Sequence, residues 1–205
     1  EGGDIVRLPW DTLPGGAALV AAPAADVQSA FAARAKLLHE VGVNLNFGIV
    51  ADVTDDPNSF LAPRVLGMEP AGAAERVAAA VRGEAGTVTS TLKHFPGHGA
   101  APGNSHTSIP VSPLDRADWE QSAALPFIAG IQAGAGAVMG EGKGACAGRW
   151  IVRSGARSTD AAATVAGASG TRAVAAGAGI AVAVIVLAGA SSVWASSAAA
   201  ASRAC

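Results

Sequence analysis

The chain contains no tyrosine and only two cysteines, and just 15% of its residues are charged. Each scarcity excludes something. Cys146 and Cys205 are too few for a disulfide framework or a cysteine-built zinc site, and they leave the redox compartment unread. The formal net charge is −2, so no basic surface calls for nucleic acid as a partner. There is no initiating methionine, no basic n-region and no apolar h-region, so no signal peptide is visible. The chain reads as starting inside a domain. At 205 residues it has room for one domain or slightly more.

What is present is unevenly distributed. Residues 1–140 hold all 11 prolines, all five phenylalanines and all four histidines, with 14 acidic and 8 basic residues. Residues 141–205 hold 2 acidic and 6 basic residues, and Ala, Gly and Ser fill 39 of their 65 positions. Leu187 is the only leucine there. A core needs large side chains, because burying one Leu or Phe contributes roughly 1.5–3 kcal/mol. Glycine also gives up the most backbone entropy on folding. The expectation is a first domain over 1–140 and a low-complexity tail over 141–205.

Three readings compete for the tail. Low complexity suggests a disordered linker. Residues 173–190 carry no polar side chain and just reach membrane-spanning length, with Arg149, Arg153, Arg157 and Arg172 before them. That makes a weak transmembrane candidate, since Ala and Gly insert poorly. The favoured reading is translation out of frame, because GC-rich DNA read in the wrong frame yields Ala, Gly, Arg, Ser and Val.

The first 140 residues alternate between two periodicities. Residues 24–41 put Val27, Phe31, Ala35 and Leu38 on one helical face, and Gly42 follows as a cap. Residues 43–53 form an apolar, strand-like run that ends at Asp55, Asp56 and Pro57. A second helix is predicted over 70–83, with Ala73, Val77, Ala80 and Val81 facing inward. A second strand is predicted over 87–94, a helix over 115–132 interrupted by Pro126, and a third strand over 134–139. Alternating strands and helices with short links imply parallel β/α units, whose chemistry sits at the C-terminal strand ends. A closed eight-fold barrel takes about 250 residues, so this segment would supply roughly half of one.

Three of the four histidines, His94, His98 and His106, fall after the second strand in a loop rich in Gly97, Gly99 and Gly103, with Lys93 beside them. One histidine alone is an ordinary structural residue; three after one strand mark a candidate site. No carboxylate or cysteine lies nearby in sequence to complete a metal set, so no metal is expected.

These residues carry a resemblance. Lys93-His94-Phe95-Pro96-Gly97-His98-Gly99, then Asn104-Ser105-His106 and Pro110, resembles the signature of family 3 glycoside hydrolases. Within that family it is similar to the β-N-acetylglucosaminidase (β-N-acetylhexosaminidase) branch, whose pattern is KHFPGHGDTxxDSHxxxP. Glu1-Gly2-Gly3 with Arg7 resembles DQEGGxVxRL. Residues 42–53 resemble GVNxNFAPVADV; Arg64 and Gly67 resemble an RSFG turn, and Ala133 to Met139 an AGVDAVM strand. The resemblance runs in order from residue 1 to about 139 and implies the first half of a (β/α)8 barrel. It implies a retaining enzyme acting on O-glycosidic bonds of peptidoglycan fragments or chitin-like oligosaccharides, with no metal or organic cofactor. Arg7, Arg64, Lys93 and His94 would bind the N-acetylglucosamine unit, through charged donors suited to sugar hydroxyls. His106 would be the general acid/base, with an unperturbed pKa of about 6.5 that suits proton transfer near neutrality. His98 would shape the loop. The implied partner is a carbohydrate, with a membrane involved only if residues 173–190 form a genuine segment. The resemblance does not separate a cytoplasmic from an exported bacterial protein.

The sequence departs from the pattern in four places. Asn104 stands where the family pairs an aspartate with its catalytic histidine, and Asn cannot stabilise an imidazolium by charge. In serine proteases the same exchange lowers turnover about 10⁴-fold. Ala100-Ala101 replace the Asp-Thr after GHG. No SDD-type motif supplies the nucleophile; Asp160, in RSTDAAA, does not match it. The aspartate of DQEGG would lie just before Glu1. The expectation is a fragment that does not turn over substrate. The alternatives are a non-catalytic amino-sugar-binding or membrane-anchored descendant, or a pseudogene product.

Overall fold

The computed structural model describes residue 2, residues 5–101 and 111–142, and a further strand at residues 181–186. In chain order the elements are α1 (Gly16–Leu19), α2 (Ala24–Glu40), β1 (Leu45–Val50), α3 (Pro70–Glu84), β2 (Thr89–Phe95), a 3-10 turn (His98–Ala100), α4 (Arg116–Gln121), α5 (Leu125–Gln132), β3 (Ala137–Gly142) and β4 (Ala181–Val186). Strands β1, β2 and β3 are parallel neighbours, and β4 runs antiparallel beside β3. The fold is α/β, as the alternation predicts.

Helix α2 forms where the sequence repeats apolar residues at helical spacing. Val27, Phe31, Ala35 and Leu38 are all buried, and Asp26 complements the helix dipole in the first turn. The helix ends in a Schellman motif: Gly42 N–H donates to His39 O at 2.9 Å and Val43 N–H to Leu38 O at 2.9 Å. Gly42 adopts φ +83°, a conformation that side chains resist. Space around it is open, so Gly42→Ala should cost about 1–2 kcal/mol through backbone strain alone. Urea unfolding would read this as a lower midpoint at unchanged slope.

Helix α3 begins with Pro70 in its first turn, where the missing N–H costs nothing. Its small residues let α2 approach closely: a Cβ on Gly83 would meet Gln28 O at 2.4 Å. The interruption predicted at Pro126 instead falls at Ser122, and Pro126 opens α5. The reason is steric: a proline ring in a helix clashes with the carbonyl four residues earlier, here that of Ser122. Helices α2, α3 and α5 cover one face of the sheet around Val27, Phe31, Ile49, Val77, Leu92, Phe127 and Ile131. Ala137, Met139 and Leu45 cluster separately from that core.

Two irregularities position the site. The register slips between Asn46 and Ile49 of β1, and between Leu92 and Phe95 of β2. Residues three apart in a regular strand point to opposite faces. With one extra residue bulged, Leu92 and Phe95 both enter the core shared with the helices, and Lys93 and His94 make up the bulge. Among the described residues, no helix is long and apolar enough to cross a membrane. Of segment 173–190, residues 181–186 form β4; the rest lies outside the described residues.

Candidate functional site

The polar centre lies where β1 and β2 end. Pairing continues one step past β1, with Ala51 N–H donating to Lys93 O at 2.7 Å. The next residue, Asp52, is fully buried. Its Oδ2 accepts from His94 N at 3.0 Å and lies 2.7 Å from His94 Nδ1, and its Oδ1 accepts from His98 N at 2.7 Å. Burial by itself pushes the Asp52 carboxyl up. The hydrogen bond and charge of His94, with the backbone N–H groups of His94 and His98, outweigh burial and hold the carboxyl below the ordinary carboxylate range.

The loop after β2 is folded back onto this carboxylate. Gly97 N–H donates to His94 O at 2.8 Å, and Gly97 takes φ +123°, which favours glycine. The peptide bonds Lys93–His94 and Phe95–Pro96 are cis. A Cβ on Gly99 would meet Val53 O at 2.1 Å, so only glycine lets the turn lie this close to the chain after β1. Trp119 of α4 donates Nε1–H to Pro96 O at 2.7 Å and packs edge-on to Phe95. The His98 ring lies 5.2 Å from Phe60 and 6.4 Å from His94, and the Arg64 guanidinium sits 6.0 Å over Phe60.

Arg64, Lys93 and His94 gather at one end of the sheet, with Phe60 and His98 linking Arg64 to His94. Arg7 is exposed in the segment before α1, where its neighbour Leu8 packs with Ala35, Leu38 and Val88 and Asp11 pairs with the buried Arg34. Asn104 and His106 lie outside the described residues. Among the described residues, no group of three His, Cys, Asp or Glu could hold a metal ion.

Sequence reasoning quoted Asp52 within a motif and gave it no role. The signal was available: an aspartate directly after an apolar parallel strand sits where such folds place their chemistry. Phe60 carried no comparable signal, since its partners come from two separate loops.

The centre is a buried carboxylate organising histidines at the C-terminal ends of parallel strands, flanked by cationic side chains. That defines an α/β protein with a polar centre at the strand ends, where such folds place their ligand sites. Residues 1–142 match the family model described as the glycosyl hydrolase family 3 N terminal domain, and the chain belongs to that family. It is 35% identical over 149 residues to a β-hexosaminidase of Xylella fastidiosa (strain M12), covering 68% of this chain and 44% of that protein. It is 38% identical over 100 residues to β-hexosaminidase A of Pseudoalteromonas piscicida, covering 48% of this chain and 17% of that one. Its fold resembles a family 3 β-N-acetylglucosaminidase from Paenibacillus sp. str. FPU-7, with TM-score 0.64 and 33% identity over 67% of this chain and 27% of that one. It also resembles LpqI of M tuberculosis, with TM-score 0.59 and 28% identity over 67% of this chain and 42% of that one. The chain spans less than half the length of each of these relatives.

Proposed function

We propose that residues 1–140 are the first part of a (β/α)8 barrel that binds N-acetylglucosamine, and that residues 141–205 are a low-complexity tail, of which β4 pairs with β3. The family match, which ends at residue 142, supports this division. The parent activity is retaining β-N-acetylglucosaminidase chemistry on O-glycosidic bonds of peptidoglycan fragments or chitin-like oligosaccharides. Arg7, Arg64, Lys93 and His94 hold the sugar; His106 is the general acid/base and Asn104 its neighbour. One observation carries the reading: Asp52 and the loop of His98 bring His94 and Arg64 to one strand end in a chain of this family. Arg64 and Lys93 supply charged donors to hydroxyl and acetamido oxygens, each such bond contributing about 1.5–3 kcal/mol.

Because the sequence has no SDD-type motif, binding rather than turnover is the informative test. Titrating the ¹⁵N-labelled chain with N-acetylglucosamine should shift the amides of Lys93, His94 and His98, while glucose at equal concentration shifts them less. Lys93→Ala should weaken binding about tenfold or more. No amide response to N-acetylglucosamine would sink the proposal. Release of an aryl leaving group from an aryl N-acetylglucosaminide is expected to be unmeasurable.

A further inference from the structure

Three nitrogens converge on the Asp52 carboxylate. His94 N and His98 N reach different oxygens, Oδ2 and Oδ1, at 3.0 and 2.7 Å. Both backbone N–H groups donate, and a carboxylate held ionised by them has acceptors only and no proton of its own to give. His94 Nδ1, 2.7 Å from Oδ2, therefore has to carry its proton and donate as well. The two imidazole nitrogens are then no longer equivalent. With Nδ1 committed to Asp52, neutral His94 presents Nε2 as a lone pair rather than as an N–H. The carboxylate that orients the ring also ties down the turn at His98, one bond away from the loop that leads on towards residue 102.

We propose that Asp52 is a positioning residue that fixes His94 as the Nδ1–H tautomer, so that His94 Nε2 meets a bound sugar hydroxyl as a hydrogen-bond acceptor, while the second carboxylate oxygen anchors the turn of His98. The sugar half rests on the function proposed above; the tautomer half does not. Lys93, the other member of the bulge, brings donors. Together they offer one donor and one acceptor to adjacent hydroxyl groups, a pairing that two cationic donors would not provide.

The test is ¹⁵N spectroscopy of the imidazole nitrogens of the 205-residue chain, whose four histidines keep assignment tractable. Spectra are recorded near roughly pH 9, above the ordinary imidazole pKa of about 6.5. The wild-type chain should show a pyrrole-type Nδ1 and a pyridine-type Nε2 at His94. Asp52→Ala should lose that fixed tautomer and bind N-acetylglucosamine at least tenfold more weakly. Asp52→Asn keeps one oxygen, which best serves the two donors of His94. It should retain the tautomer and most of the affinity while His98 N–H exchanges faster with solvent. A pyridine-type Nδ1 in the wild-type chain overturns the proposal, and that reading needs no variant to fold. So does an Nδ1 of unchanged pyrrole type in Asp52→Ala, and unchanged His98 exchange in Asp52→Asn overturns the anchoring role. If the predicted tautomers appear but N-acetylglucosamine leaves the wild-type spectrum unmoved, the sugar-binding function falls and the hold of Asp52 on His94 stands.

Discussion

Asp11→Ala should destabilise the chain by about 3–5 kcal/mol, the cost of leaving one member of a buried ion pair uncompensated. Arg34 sits in the apolar stripe of α2 with its side chain wholly buried. Its Nε donates to Asp11 Oδ2 at 2.6 Å, and its Nη2 donates to Asp11 Oδ1, Leu13 O and Pro14 O at 3.3, 2.9 and 3.1 Å. The guanidinium also lies 5.5 Å from the Phe31 ring centre. Removing Asp11 keeps the charge and deletes its counter-charge. Removing both partners deletes the problem as well as the contact, so the pair Asp11→Leu with Arg34→Met should cost less than Asp11→Ala alone. Urea midpoints of the wild type, Asp11→Leu, Arg34→Met and the double variant form the cycle, with Asp11→Ala measured beside it. A single-variant loss below about 1 kcal/mol would place the pair with weak surface bridges instead. The pair matters to the site because it holds the segment that leads to α1. There Gly16 lies against the backbone of Pro63 and Arg64, where a Cβ would meet Arg64 O at 2.6 Å.

Arg34 also shows where sequence reading stops. Val27, Phe31, Ala35 and Leu38 announce α2 because their period is visible in one helix. An arginine between them reads as solvated until its partner, 23 residues away, is known. The same boundary divides the strands. Their apolar runs were legible, but the bulges at Asn46–Ile49 and Leu92–Phe95 depend on how neighbouring strands align, which no single strand records. The bulge at Lys93 and His94 decides how the site forms, and it was invisible. Lys93, His94 and Arg64 were found by motif, and geometry then gathered them. Asp52 was present in the same text, but its place emerged only when His94 N, His94 Nδ1 and His98 N were seen to meet on it. Arg7 was found by motif too, whereas the packing of its neighbour Leu8 with Ala35, Leu38 and Val88 was not legible in it.

Above pH 7, Glu84→Gln should make the chain more stable than the wild type, by about 3 kcal/mol at most, and the advantage should vanish near pH 4.5. Glu84 closes α3 with no exposed surface, and Asn46 donates its amide to the carboxylate. Burial drives its pKa up; hydrogen bonds from Ser90 and Asn46, and more weakly the charge of Arg34, only partly offset this, leaving it at about 7 against 4.5 for the exposed group. Between those values the folded state binds more protons than the unfolded chain. Stability is therefore full below about pH 4.5 and falls as pH rises towards 7, by about 1.4 kcal/mol for each pH unit between those values. Asp52 acts in the opposite sense. Its carboxyl is depressed below 3.8, so its contribution is present above that value and is lost as pH falls. Glu84 and Asp52 lie at opposite ends of the sheet, beside Asn46 and Ser90 at one and beyond Val50 at the other. They should confine maximal stability to a narrow range near pH 4–5, below the common maximum between about pH 5 and 8. Glutamine keeps an acceptor for Asn46 and cannot ionise, so the variant should lose the decline towards neutrality and keep the acid limb. Urea midpoints measured from pH 3 to 8 for both chains decide it: parallel profiles above pH 4.5 would show that Glu84 is ionised as readily folded as unfolded, and that the polar cluster around it solvates the charge in full.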